Sequence, residues 1–257
     1  MMTHIQVNAT RKIALVTGIL MIITFITSIP AQLVLYHPLL SNPATYMHGS
    51  GADPAVSLGA LLEVLLVIAN VGTAIVLYPI VKRQNEVVAL AFVMERVLEG
   101  VAIMVGFFSL LAAVTLRQGG AGASGADAAA LVTAGTSLVA VHDWTFLIGP
   151  GFLDGLGTGL MLGYLMYKSG LMPRGLALLG LIGGPLVMAS GIAVLFGVFK
   201  AGSAGQFFAT IPEILWELSV GIYLIVKGFK PSPIISGQTQ PQPTPHTHAA
   251  SVAVAAV

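Results

Sequence analysis

The 257 residues are 56% hydrophobic and only 8% charged, with a formal net charge of +1. Soluble domains carry roughly 25% charged residues, so this composition excludes an ordinary water-soluble fold and indicates that lipid covers much of the surface. The near-neutral charge, without a basic patch, argues against binding to nucleic acid, and the lack of cysteine excludes disulfides, thiolate metal sites and cysteine nucleophiles.

Six stretches are long and apolar enough to cross a bilayer, which takes about 20 mostly apolar residues. The first follows Arg11 and Lys12 in the manner of a signal peptide, but its apolar run exceeds the usual ~7–15 residues of a signal core. We therefore predict a retained span and an all-α, polytopic membrane helical bundle. The predicted spans are Ile13–Tyr36, Ser57–Ile80, Val87–Leu116, Phe146–Tyr167, Gly175–Phe199 and Ala209–Val226.

The spans define one membrane domain of residues 13–228, which follows an N-terminal segment of residues 1–12. Residues 229–257 are rich in Pro, Gln and Thr, a composition that predicts a disordered tail. Between the third and fourth spans, Ser124 and Asp127 resemble a helix capping box. The Ala-rich run that follows, up to Val141, is expected to form a separate short surface helix.

The basic residues at the span ends are unevenly distributed, and cytoplasmic loops of membrane proteins carry an excess of Lys and Arg. Only Arg117 and Lys200 lie on the side opposite the N-terminus. The bias predicts a plasma-membrane protein with both termini in the cytoplasm. The basic residues on the N-terminal side are Arg11, Lys12, Lys82, Arg83, Lys168, Arg174, Lys227 and Lys230.

Six acidic residues fall inside the predicted spans, where a charged side chain costs about 2.5–3.5 kcal/mol on insertion scales. With a rise of about 1.5 Å per residue, four spans each place one acid roughly 9–12 Å below the outer surface. The sequence therefore predicts a buried acidic layer in the outer half of the bilayer, with Arg96 as its only cation and Asn70 extending it inward. The acids are Glu63, Glu95, Glu99, Asp154, Glu213 and Glu217.

Several functions are compatible with such a layer. It forms a structural network around Arg96, or it lines a cavity that binds a cation or relays protons in a small-solute transporter. A third alternative is an intramembrane enzyme that uses carboxylates or a metal, with His142 and Asp143 as secondary candidates, and a fourth is a partner subunit, sensor or immunity protein. Zinc sites usually contain more histidine, so no metal and no cofactor is predicted. The expected partners are the lipid bilayer and a small solute or proton, and the oligomeric state is left open.

Four glycines follow one another at a spacing of four residues in the fourth span, which suits close helix packing. Gly180 and Gly184 of the fifth span are the natural partners of this stripe, and Gly157 is expected to lie off it. The predicted packing glycines are Gly151, Gly155, Gly159 and Gly163.

A set of short segments, in order along residues 10–230, resembles the domain of unknown function 4386 family of prokaryotic membrane proteins. The resemblance implies a multi-span prokaryotic membrane protein and brings no activity, substrate or catalytic residue. It is carried by Leu58–Leu66, Ile68–Thr73, Leu77–Pro79, Lys82–Glu86, Arg96–Gly100, His142–Phe146, Pro173–Gly175, Gly180–Pro185, Pro212-Glu213 and Lys227–Phe229.

Overall fold

A computed structural model describes residues 2–49 and 53–236, and these residues are almost entirely helical, with no strand among them. The α-helices are α1 (Met2–Pro30), α2 (His37–Ser41), α3 (Pro43–His48), α4 (Asp53–Val81), α5 (Glu86–Gly119), α6 (Gly125–Ile148), α7 (Gly163–Ser169), α8 (Arg174–Leu195), α9 (Ala204–Val226) and α10 (Pro233–Ser236). Three stretches have the wider turns of a π-helix: Ala31–Leu35, Gly149–Leu153 and Gly155–Leu162.

Six helical segments within the described ranges are long and apolar enough to cross a membrane. Helices suit this role because a backbone in hydrocarbon has to satisfy its polar groups within the segment. The prediction of an all-α bundle with six spans is confirmed, and the protein is a multi-pass membrane protein. The segments are Ala9–Leu35, Asp53–Val81, Glu86–Gly119, Gly125–Ser169, Arg174–Leu195 and Ala204–Val226.

The fourth segment differs most from the sequence prediction. Instead of a surface helix followed by a separate span Phe146–Tyr167, Gly125–Ser169 is one helical segment of 45 residues. At Gly149-Pro150 the chain passes from α6 into π-helical turns. Proline lacks the amide hydrogen that an α-helix needs, and the wider turns begin at this pair. The prediction of a separate surface helix is wrong, because α6 continues without a break through residues 142–145, where that helix was expected to have ended.

The turn between α8 and α9 lies earlier in the chain than predicted. α8 ends at Leu195 rather than Phe199, and α9 begins at Ala204 rather than Ala209. Gly197 and Gly202 both have a φ of +72°, a left-handed backbone conformation that favours glycine. These two positions allow the chain to leave one helix and reverse into the next.

The six segments pack as a closed ring in which each contacts its neighbours in the chain. α1 packs on α4, α4 on α5, and α5 on α6 and the π-helical stretches that follow it. The π-helical stretch Gly155–Leu162 packs on α8, α8 packs on α9, and α9 packs back on α1. The ring therefore has an interior toward which polar side chains from several segments can point.

The chain ends meet at one end of the ring, called here the termini end. Arg11 of α1 donates hydrogen bonds to the carbonyl oxygens of Leu224 (2.9 Å) and Ile225 (2.6 Å) in the last turn of α9. The amide of Lys230 donates to the carbonyl of Leu171 at 2.7 Å. The described residues thus run past the predicted domain boundary at residue 228 to residue 236. Residues 237–257 of the predicted tail lie outside the described residues.

Candidate functional site

A buried arginine joins carboxyl groups from three segments of the ring. The Arg96 side chain is 3% exposed, and its Nη1 donates to Glu99, one turn further along α5, and to Asp154 Oδ1 at 2.8 Å. Its Nη2 donates to Glu217 Oε1 of α9 at 3.2 Å. The planar guanidinium, with several donors in a fixed fork, therefore ties α5, the fourth segment and α9 together.

Two further relationships extend this network. Asn70 of α4 is buried and lies near Glu99. Asp154 and Glu217 come from different segments and are drawn together by the same guanidinium.

Glu95 and Glu213 are buried without a hydrogen-bond partner among the described residues. Glu95 is 3% exposed and Glu213 is 2% exposed. Glu95 points at the backbone of Gly157, where a side chain would overlap it. Glu213 fits against Gly159 and Gly183, and its Oε2 lies 2.8 Å and 2.7 Å from where their Cβ atoms would be. Each glutamate side chain thus occupies space that a residue larger than glycine would fill at the facing positions.

These groups form one site, the Arg96 cluster, which consists of Glu95, Arg96, Glu99, Asp154, Glu213 and Glu217. Along α5 it lies between Phe92, which belongs to one apolar core, and Ile103, which belongs to a second. Burying an ionised carboxylate without a partner is very costly. With one guanidinium against five carboxyl groups, we expect most of the acids to be protonated. The chemistry available to the cluster is therefore the uptake and release of protons.

The backbone around Asp154 has an uncommon geometry. Asp154 lies between the π-helical stretches Gly149–Leu153 and Gly155–Leu162, and π-helical turns occur frequently at functional sites. Within the second stretch, the carbonyl oxygen of Thr158 accepts a hydrogen bond from Trp216 Nε1 at 2.9 Å. This bond fixes the fourth segment against α9, one residue from Glu217.

Three of the four glycines of the stripe lie against α8. A Cβ on Gly155 would be 2.8 Å from the carbonyl oxygen of Gly184, and one on Gly159 would be 2.9 Å from the amide nitrogen of Gly184. Gly163 faces Leu181, whereas Gly151 would make only ordinary contacts with its own helix, at 3.6 Å and beyond. Gly157 lies off this face and is directed instead at Glu95 of α5, so the position is filled although it does not belong to the stripe.

Glu63 does not join the Arg96 cluster, although the sequence placed it in the same layer. Its Oε1 accepts a hydrogen bond from Gln32 Nε2 at 2.6 Å, and its Oε2 accepts one from the Tyr36 hydroxyl at 3.0 Å. His142 Nε2 lies 3.4 Å from the same Gln32 nitrogen, and His142 Nδ1 lies 3.3 Å from Asp143 Oδ1. Gln32, Tyr36, Glu63 and His142 form a second site, called here the Glu63 cluster.

Sequence reasoning singled out neither Gln32 nor Tyr36. Both lie at the end of the first span, where polar and aromatic residues are common and give no signal. The π-helical stretch Ala31–Leu35 turns them toward α4, as the bonds to Glu63 show. Among the described residues, no group of three His, Asp or Glu side chains is placed to hold a metal ion.

Comparison with known proteins gives one match. The family model described as "Domain of unknown function (DUF4386)" matches residues 16–228. No curated protein and no solved structure matches the chain.

Proposed function

We propose that this chain, which belongs to the domain of unknown function 4386 family, is a proton-coupled membrane transporter of a small solute, with the Arg96 cluster as its proton-binding site. The observation that carries the proposal is the excess of buried acids. Five carboxyl groups surround one guanidinium, and two of them, Glu95 and Glu213, have no partner among the described residues.

The alternative, a purely structural network, accounts for part of this arrangement. Arg96, Glu99 and Asp154 are enough to link α5 with the fourth segment. Buried ion pairs are weak evidence for a stabilising role, because their desolvation offsets the attraction. Glu95 and Glu213 add desolvation without adding a bond. A proton-binding role explains their presence, because each can take up or release a proton when the surroundings change.

Conformational change is the second requirement of a transporter, and the packing supports it. The fourth segment meets α8 through Gly155, Gly159 and Gly184, so that backbone faces backbone at these positions. Such a face lets one helix shift along the other without side chains having to repack. Asp154 belongs to the fourth segment, so a shift of that segment would move it relative to Arg96 and change which acids are ionised.

We also propose a plasma-membrane location with both termini in the cytoplasm. Arg11 contacts the last turn of α9, and Arg83 donates to the carbonyl of Ile234 at 3.1 Å, so basic residues from separate segments gather at the termini end. A positive end of this kind is typical of the cytoplasmic side. In this orientation the bilayer is the first partner, and a proton and a small solute are the transported partners.

The test is proton movement in vesicles that contain the purified full chain. An inward proton gradient is imposed, and internal pH is followed with a trapped dye while amino acids, sugars and organic cations are added in turn. We expect at least one class to accelerate proton entry, and Glu213→Gln and Glu217→Gln to abolish the acceleration while the chain stays folded. Glu86→Gln, the same change at an exposed position, is the control.

Two outcomes would overturn the proposal. In the first, no added solute changes the rate of proton entry, and the Arg96→Leu variant fails to fold. The role of the cluster would then be structural. The other is solute-dependent proton entry that persists in both glutamine variants, which would place proton binding elsewhere.

A further inference from the structure

A short segment that follows α9 lies across the termini end of the ring. This segment, residues 229–236, is called here the strap, and it includes α10 (Pro233–Ser236). The chain turns into it at Gly228, whose φ of +72° is a left-handed conformation that favours glycine. The strap belongs to none of the six spans, and the function proposed for the Arg96 cluster gives it no role.

The first half of the strap is bonded to the end of the fourth segment and to the turn that follows it. The amide of Lys230 donates to the carbonyl oxygen of Leu171 at 2.7 Å. Ser232 Oγ donates to the carbonyl oxygen of Ser169 at 2.5 Å, and both serines are buried. The strap is therefore anchored on the side of the ring that the fourth segment forms.

The second half of the strap reaches the opposite side. Arg83, in the turn after α4, donates to the carbonyl oxygen of Ile234 at 3.1 Å, and Ile235 lies beside Ile13 of α1 and Ile80 of α4. The fourth segment and α1 are opposite each other in the ring, because α4 and α5 separate them on one side and α8 and α9 on the other. The strap thus connects opposite sides of the ring.

The strap also covers one of the two apolar cores. The side chains of Phe229, Ile234 and Ile235 pack against the core that contains Ala14 of α1 and Leu224 of α9. These three side chains therefore lie between that core and the water beyond the termini end.

The second half of the strap is held less firmly than the first. The hydrogen bond from Arg83 is exposed to solvent. A cavity of about 100 Å³ remains between Ile235 and the helices α1 and α4, and side chains beside an unfilled space lose part of their packing attraction. Segments with exposed hydrogen bonds and few buried contacts open most readily. The second half can therefore detach while Ser232 stays anchored.

We propose that the strap is a latch, whose second half closes the termini end of the ring when it lies against α1 and α4 and opens that end when it detaches. Detachment breaks the hydrogen bond between Arg83 and Ile234, exposes Ile235 and lets water reach the core that contains Ala14. No covalent bond changes. In the proposed transporter this step would open the cytoplasmic side, but the latch itself does not depend on that function.

The experiment is cysteine labelling of the full chain in detergent micelles. Because the chain has no cysteine, Ala14→Cys gives a single reporter at a fully buried position of the covered core. A water-soluble maleimide should label it slowly. Arg83→Met and Ile235→Ser should each raise the rate about fivefold, as expected when one hydrogen bond or one partly buried apolar contact is lost. Lys82→Met, the same kind of change at the neighbouring exposed residue, is the matched control and should leave the rate unchanged.

A second reporter distinguishes opening of the termini end from loosening of the whole ring. Ala113→Cys of α5 is also fully buried but belongs to the other apolar core, so its labelling rate should be the same in every variant. The proposal is overturned if Arg83→Met and Ile235→Ser leave the labelling rate of Ala14→Cys unchanged. It is also overturned if they raise the rates of both reporters together. Neither result depends on proton flux through the Arg96 cluster.

Discussion

The carboxyl group of Glu95 occupies the space that a side chain at position 157 would need. Glu95 comes from α5, and Gly157 lies within the π-helical stretch Gly155–Leu162. The contact makes position 157 a direct probe of the Arg96 cluster, because any added atom there has to displace a buried carboxyl group.

We expect Gly157→Ala to lower the free energy of unfolding by about 1–3 kcal/mol, the usual cost of overpacking a buried site. The loss should appear although alanine is the better helix former. Thermal unfolding in detergent measures it. Gly175→Ala is the matched control, because a Cβ there meets nothing within 4 Å.

The double variant Glu95→Ala, Gly157→Ala tests the contact itself. If Glu95 is the obstacle, the double variant should unfold at a higher temperature than Gly157→Ala alone. Equal unfolding temperatures would show that position 157 is restricted by something other than this carboxyl group.

The glycine stripe should show a graded response to alanine. Gly155→Ala and Gly159→Ala place a methyl group against the backbone of α8, which cannot move aside as a flexible side chain can, so both should reduce the yield of folded protein strongly. Gly163→Ala should have a smaller effect, since its nearest contact is 3.2 Å, and Gly151→Ala the smallest. Size-exclusion chromatography in detergent measures the yield, and equal tolerance at all four positions would contradict the close packing of the fourth segment on α8.

Replacing Arg96 should leave the buried carboxyl groups around it without a positively charged partner. Arg96→Leu should cost about 3–5 kcal/mol, as expected when one partner of a buried ion pair is lost. As the pH falls, these unpaired carboxylates take up protons and become neutral. The decrease in the free energy of unfolding should therefore be smaller at acidic than at alkaline pH. The measurement is the unfolding temperature of the variant and the wild type at acidic and at alkaline pH.

Two variants serve as controls for this effect. Arg96→Lys keeps the charge but loses the fork that reaches Glu99, Asp154 and Glu217 together, and should fall between the wild type and Arg96→Leu. Replacing Arg96 and Glu99 together by leucine should restore part of the stability. An Arg96→Leu variant as stable as the wild type would show that the ion pairs contribute nothing to the fold.

The distribution of basic residues predicts the orientation of the bundle. A reporter that is active only in the cytoplasm should work when fused after Lys230. The same reporter inserted at Gly122, in the exposed turn between α5 and α6, should be inactive. Activity only at Gly122 would reverse the orientation, and activity at both sites would contradict the odd number of spans between them.

The sequence by itself determined the class of fold, the number of spans and the acidic residues inside the spans. These follow from local properties. A run of about 20 apolar residues has to be helical in a bilayer because its backbone has no other partner there. An acid within such a run is costly wherever it points, so Glu95, Asp154 and Glu213 could be selected without knowing their neighbours.

Only the tertiary structure decided which of these residues meet. Asp154 and Glu217 reach Arg96, whereas Glu63 bonds to Gln32 and Tyr36 instead. Partner choice depends on the order of helices around the ring and on the rotation of each helix about its axis, which long-range packing sets. The π-helical turns change that rotation within the fourth segment, and residue spacing along an ideal α-helix cannot reveal such a change.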